Sequence, residues 1–306
     1  MILCIWVVSM KKYFCVGHAT YDITLPFLKY PKENSKVKTF RKVECGGGSS
    51  ANSAVLLSKW GEQAYFVGAV GNDYYGKRVA GAFKFHDVNT KYLQVRKDCY
   101  TSTSFIVASK ETGKRTVFTF KDKNIVAKDK HIKEKADVIL LDGDHLDASL
   151  TLIGKNPDAI KIIDAGSMKE EILILCPLMD YVVCSKDFAE GVTKKKIKVS
   201  DTEGLKKIHK SLEKKFNTNI IITLEEKGSY GKINKKYKLV PSIPVKAVDS
   251  TGAGDIYHGA FTYFISNGYD LEETMRLSNI AGALAVTKIG GRFSIPNFED
   301  VINHDR

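Results

Sequence analysis

Apolar positions group into short unbroken runs at Tyr13–Gly17, 65–70, 137–141, 159–164, 180–184 and 219–223, each bounded by polar or glycine-containing breaks. Runs of this length read as strands buried on both faces. Elsewhere apolar residues recur at three- and four-residue spacing. That spacing predicts helices over 55–60, 74–85, 148–153, 169–175 and 203–216, a short one near Phe188, and another over 271–287. Strands alternating with helices imply an α/β protein with a mostly parallel sheet covered on both faces. Two regions stand outside the alternation. Residues 23–43 alternate weakly and are broken by Pro26 and Pro31; residues 103–109 and 115–121 are β-branched and aromatic, joined by Glu111-Thr-Gly-Lys114 as a hairpin would be. Both are expected as short strands apart from the main sheet.

The stretch Val245 to Phe261 carries the most chemistry. An extended apolar lead-in, Val245 to Val248, is expected to be a strand end, followed by a tight Gly252-Ala253-Gly254 turn and a helix from near Asp255. A helix start preceded by glycines offers free N–H groups and the positive end of a dipole to an anion. As a cap, a carboxylate at Asp255 would be unremarkable. Capping does not account for Gly-x-Gly directly before it. A phosphate against the glycine backbone and a carboxylate able to take a hydroxyl proton together point to phosphoryl transfer.

Composition narrows the rest. The formal charge is +12, from 47 basic and 35 acidic residues, and the lysines are spread along the chain without interleaved aromatics. Anionic nucleotide substrates suit such a field, and a nucleic-acid partner is not expected. No apolar run approaches the ~20 residues of a membrane span, so no membrane partner is expected either. Six cysteines lie scattered with no Cys-x-x-Cys pair, the usage of reduced core thiols in a cytoplasmic protein. Residues 1–9 are apolar but lack the charge and cleavage pattern of a signal peptide. They read as an extension ahead of a second start at Met10. Gly71-Asn-Asp-Tyr-Tyr-Gly-Lys77 nearly spells a phosphate loop, but Arg78 stands where Ser or Thr is needed, so a strand-to-helix turn with Asp73 at the helix start is expected. Asp142, Asp144, His145 and Asp147 share one loop, which is not by itself a metal site.

Asp249-Ser-Thr-Gly-Ala-Gly-Asp255, continued by Gly259-Ala-Phe261, resembles the C-terminal signature of the ribokinase-like, or PfkB, carbohydrate kinases. Cys45-Gly-Gly-Gly-Ser-Ser-Ala-Asn52 resembles their N-terminal signature, with Ser50 where a smaller residue is usual. The similarity runs from Gly17 to Pro296. It implies a ribokinase-like α/β fold: a single domain, its mostly parallel central sheet flanked by helices, with a small β lid from residues of about 20–45 and 100–122. It also implies transfer of the ATP γ-phosphate to a sugar hydroxyl, with Asp255 as base, Gly252, Ala253 and Gly254 as the anion hole, and Mg²⁺ on the nucleotide phosphates. On the same grounds Asp22, Gly47, Gly48 and Asn52 hold the sugar, Thr223, Gly228 and Asn279 border the nucleotide, and Asp249 belongs to a K⁺ site. Stretches such as Tyr257-His-Gly259 are similar to members acting on ketoses and keto-sugar derivatives, and the lid implies a homodimer. Ser185-Lys-Asp-Phe188 departs from the Asn-x-x-Glu that members use near magnesium, leaving Asp187 as the substitute. A nucleoside kinase of this fold and a catalytically silent sugar-binding regulator are the alternatives; the latter would be expected to lose Asp255 or its glycines, and both are present.

Overall fold

The computed structural model describes residues 10–128 and 132–304. The expectation for residues 1–9 therefore lies outside the described residues. Strand β1 (Lys12–Val16) leads into a separate pair, β2 (Thr20–Phe27) and β3 (Val43–Gly47), then helix α1 (Ser49–Lys59), β4 (Gln63–Gly71), α2 (Tyr74–Phe85) and β5 (Asn89–Arg96). The hairpin β6 (Ser102–Ser109) and β7 (Arg115–Phe120) follows. Regular alternation then resumes with β8 (Val138–Leu141), α3 (Leu146–Lys155), β9 (Ile160–Ala165), α4 (Glu170–Leu175), β10 (Tyr181–Ser185), α5 (Lys186–Thr193), α6 (Thr202–Phe216) and β11 (Asn219–Thr223). A second hairpin, β12 (Ser229–Ile233) and β13 (Lys236–Val240), precedes α7 (Ala253–Ser266), α8 (Leu271–Ala285) and α9 (Phe298–Ile302).

The main sheet runs β13-β12-β11-β10-β9-β8-β1-β4-β5, and β12 is antiparallel to both its neighbours. Residues of β1 alternate between two cores. Tyr13 and Cys15 pack with α1, α7 and α8; Phe14 and Val16 pack with the α3–α6 side. A smaller sheet, β3-β2-β6-β7, stands apart and is built from the two regions outside the alternation. In the main sheet β1 has β4 on one side and β8 on the other, so the chain's direction of travel reverses between β1 and β8. Ligands of open α/β sheets bind beyond the strand C-termini at such a switch point.

Several expectations need correction. The lead-in at residues 245–248 is not a strand: the Val248 and Asp249 amides both donate to the Val286 carbonyl, tying the segment to the free end of α8. Helix α7 begins at Ala253, two residues before Asp255. Helix α1 begins at Ser49, six residues before its expected start. Its first turns, including Ser50, Asn52 and Ser53, are buried, so no amphipathic period marks them. Strands β5, β12 and β13 were not anticipated; their polar residues, lysines above all, interrupt any apolar run.

Candidate active site

At the start of α7, Gly252 sits at φ +78°, and a Cβ there would stand 2.9 Å from the Gly291 Cα. Only glycine fits this turn. Gly254 is the opposite case: a Cβ built on it meets nothing within 4 Å, so its backbone faces open space. By helix geometry the N–H groups of Gly254 and Asp255 have no intrahelical acceptor. An anion approaching here meets free donors and the helix dipole together.

Asp255 is held from α1. Asn52 Nδ2 donates to Asp255 Oδ2 at 2.7 Å, and Ser53 Oγ donates to the Asp255 carbonyl at 2.9 Å. The two helices approach this closely because Gly259 has no side chain; a Cβ there would lie 3.1 Å from the Ser53 Cα. The Asn52 amide is fixed in turn by Arg292, whose Nε donates to Asn52 Oδ1 at 3.2 Å. Arg292 is buried, lies over the Phe83 ring, and occupies the space a Cβ on Gly46 would need. Burial opposes its charge, so its pKa is lowered despite the Asp22 and Asp255 carboxylates nearby.

The residues expected to hold the sugar come from β2, β3 and the start of α1. Asp22 is buried, and a Cβ on Gly47 would lie 2.0 Å from its Oδ2. Gly48 is required twice over, by φ +101° and by the His18 carbonyl oxygen 2.1 Å from its would-be Cβ. Burial pushes the Asp22 carboxyl up to about 6; the Thr20 hydroxyl and Arg292 pull against this, and the Asp255 charge adds to it. Asp22, Gly47, Gly48, Asn52, Asp255 and the glycine turn thus share one crevice edge.

The residues expected to border the nucleotide lie elsewhere. Thr223 ends β11, its hydroxyl donating to the Cys184 carbonyl at 3.3 Å. Gly228 and Asn279 both serve the chain at Val240. A Cβ on Gly228 would meet the Val240 oxygen at 2.1 Å, and Asn279 Nδ2 donates to that oxygen at 2.9 Å. One turn on from Asn279, Gly282 packs against the glycine turn; its would-be Cβ is 3.4 Å from the Ala253 oxygen. Asp249 is buried, with Oδ1 accepting from Thr251 N and Oγ1 and Oδ2 from Gly290 N. Ser185 Oγ caps α5 and donates to the Gly166 carbonyl, so it is already engaged. Asp73 caps α2 through Gly76 N, as the strand-to-helix reading expects.

Sequence reasoning missed Arg292, the contact of Arg115 Nη1 with Ser250 Oγ at 2.6 Å, and the buried pair Asp164–His258. His258 lies one turn into α7, with Nδ1 2.6 Å from the Gly254 oxygen and Nε2 3.0 Å from the Val183 oxygen. The one available signal was an isolated basic residue in a glycine-rich loop, at Arg292; Arg115 directly follows Lys114, and nothing in the sequence sets it apart.

The family model described as pfkB family carbohydrate kinase matches residues 10–297. A Bacillus subtilis ribokinase is 25% identical over 306 residues, covering 95% of this chain and 98% of its own. A putative ribokinase from Agrobacterium tumefaciens superposes with a TM-score of 0.88 at 24% identity, over 96% of this chain and 97% of that one. Arabidopsis thaliana ribokinase, solved with ribose and ATP, gives 0.76 at 22% identity over 96% and 98%.

Proposed function

As a member of the pfkB family of carbohydrate kinases, the chain is a phosphotransferase with an alcohol group as acceptor, and we propose that it transfers the γ-phosphate of ATP to a hydroxyl of a ketose or keto-sugar derivative. The observation that carries the mechanism is Asp255 held by Asn52 beside a helix start whose N–H groups are free. The sugar oxygen attacks the γ-phosphorus, and its proton passes to the Asp255 carboxylate. The bond from that phosphorus to the β–γ bridging oxygen breaks, and ADP leaves with the electron pair. The Gly252-Ala253-Gly254 turn presents the free N–H groups of Gly254 and Asp255 to the developing negative charge, the Ala253 N–H already donating to the Ser250 carbonyl at 3.4 Å. Asp22, Gly47, Gly48 and Asn52 seat the acceptor. The α8 side, from Asn279 to Gly282, borders the nucleotide together with Thr223 and Gly228. That the Arabidopsis thaliana relative is solved with ribose and ATP supports a sugar and ATP as the two substrates.

Mg²⁺ neutralises the nucleotide phosphates when bound. Ser185 Oγ is engaged within the protein, so Asp187, exposed in the first turn of α5, is the carboxylate nearest that role. K⁺ fits at Asp249: a carboxylate has about four lone-pair positions and three are filled. Restoration of activity by K⁺ and not by Na⁺ tests that assignment. Pairing of two copies through the small sheet, acting as a lid, is supported by the free edge of β7 and by the exposed Phe105, Phe118 and Phe120. A monomer by light scattering at micromolar concentration removes the pairing.

Asp255→Asn tests the central claim. It keeps the side chain's size and removes the proton acceptor, so turnover should fall about 10²- to 10⁴-fold at saturating ATP and sugar. Near-parental turnover overturns the mechanism.

A further inference from the structure

His258 follows Gly254 by one turn of α7, and it is buried. Both of its ring nitrogens face carbonyl oxygens: Nδ1 lies 2.6 Å from the Gly254 oxygen, and Nε2 lies 3.0 Å from the Val183 oxygen on β10. A carbonyl oxygen can only accept, so both nitrogens donate and the ring carries two N–H groups and a positive charge. The counter-charge is at hand. Asp164, near the end of β9, places Oδ2 3.3 Å from His258 Nδ1, and its side chain also accepts from the Gly166 amide. Burial pushes the Asp164 carboxyl up; the charges of His258 and Lys169 pull against this. Losing either member of the pair would leave the other buried beside one charge fewer.

The Gly254 carbonyl belongs to the same peptide unit as the Asp255 N–H, one of the donors left free at this helix start. By helix geometry that carbonyl accepts from the His258 backbone amide. The ring Nδ1–H gives it a second, charge-assisted bond and so fills both of its lone pairs. Linked hydrogen bonds polarise one another. Electron density drawn to the carbonyl oxygen leaves the Asp255 N–H a stronger donor, and the doubled bond fixes the peptide plane that aims it. Charge works in the same direction. Asp164 is close enough to Asp255 for the two carboxylates to oppose each other, and an uncompensated charge there would weaken the turn's hold on a phosphate. The imidazolium cancels it. Packing alone explains neither a ring N–H aimed at this carbonyl nor a carboxylate behind the ring.

Resting on the kinase reading above, we propose that His258, held as an imidazolium by Asp164, is a positioning residue for phosphoryl transfer: through the Gly254 carbonyl it aims and polarises the Asp255 N–H that meets the transferring phosphate. The charge met by that N–H develops during the transfer, so the effect falls on kcat more than on KM. A single anion-hole donor is worth about 10²- to 10³-fold in turnover, and a linked bond alters a hydrogen bond by roughly 10–30%. The upper part of that range, which suits a charged donor, gives about three- to tenfold in kcat.

The test compares two neutral replacements. His258→Asn puts an amide nitrogen where Nδ1 stands and keeps the bond to Gly254; His258→Gln puts it where Nε2 stands and keeps the bond to Val183 instead. Both remove the ring's charge and leave Asp164 without it, so their difference isolates the Gly254 contact. At saturating ATP, with the best sugar of the unaltered protein, His258→Gln should lose about three- to tenfold more kcat than His258→Asn. KM for sugar and for ATP should be alike in the two, with melting temperatures recorded alongside. Equal kcat, or a difference that lies in KM, overturns the positioning role and leaves the kinase standing. An unaltered protein that turns over no sugar overturns both. Should either variant fail to fold, the unaltered protein decides: proton–nitrogen NMR should show hydrogen on both His258 ring nitrogens at the pH of full turnover. A ring with hydrogen on one nitrogen there overturns the assignment.

Discussion

Asp22→Asn should stabilise the protein at neutral pH while impairing it as an enzyme. The carboxyl is buried beside Gly47 and shares its surroundings with Asp255, and its pKa stands at about 6 against an ordinary 3.8. A folded-state value above the unfolded one means that the native protein binds the proton more tightly. The ionised form is therefore a penalty, absent below about pH 4, growing as pH rises to about 6, and full above it. A shift of roughly two units corresponds to about 3 kcal/mol at most. Asparagine can still accept from Thr20 but brings an amide N–H₂ to satisfy, so a net gain of about 1–3 kcal/mol is expected. For a chain of this length that is a rise of roughly 2–5 °C in melting temperature at pH 7.5. The gain over the unaltered protein should shrink as pH approaches 4. KM for the sugar should rise about tenfold or more as a charged acceptor of hydroxyl donors is lost. Paired melting curves from pH 4.5 to 7.5, with sugar kinetics, check both halves. A melting temperature unchanged or lowered at pH 7.5, or a gain independent of pH, refutes the reasoning.

Arg292→Gln should lower turnover about tenfold by releasing the Asn52 amide, yet cost little further in an Asn52→Ala background; additive losses in this double-mutant cycle would mean that Arg292 does not act through Asn52. Gly48→Ala should destabilise by more than ~2 kcal/mol because strain at φ +101° adds to collision with the His18 carbonyl, whereas Gly61→Ala, at φ +90° with nothing within 4 Å, should cost only about 1 kcal/mol. Chemical denaturation of the two variants measures the contrast, and equal losses would show that backbone strain alone governs Gly48.

The fold was legible where one physical demand dominates a local stretch. β1, β4, β8, β9, β10 and β11 are buried on both sides, so each shows as an unbroken apolar run, and the turn before α7 shows because Gly252 must adopt a left-handed φ against Gly291. The hairpin β6–β7 was readable for the same reason, its turn chemistry and β-branched residues being local. α1 was blurred because a helix buried all round has no period to display, and residues 245–248 misled because an apolar segment can be held by the end of α8 as well as by a ladder. The side chains that tune the site were hidden for a different reason. Arg292 and Asn52 are 240 positions apart, and Asn52 and Asp255 are 203 apart. No spacing rule links them, and only the crossing of α1 over α7 at Gly259 brings them together. The same holds for Lys121 and Lys169. In the sequence they are two lysines in a lysine-rich chain; in the fold they converge on one carboxylate oxygen. Catalytic machinery built on backbone geometry therefore announces itself through glycine, whereas specificity built from side-chain pairing across elements becomes readable only once the strands are in register. That is why the reaction could be inferred early, and why the side chains that orient Asp255 could not.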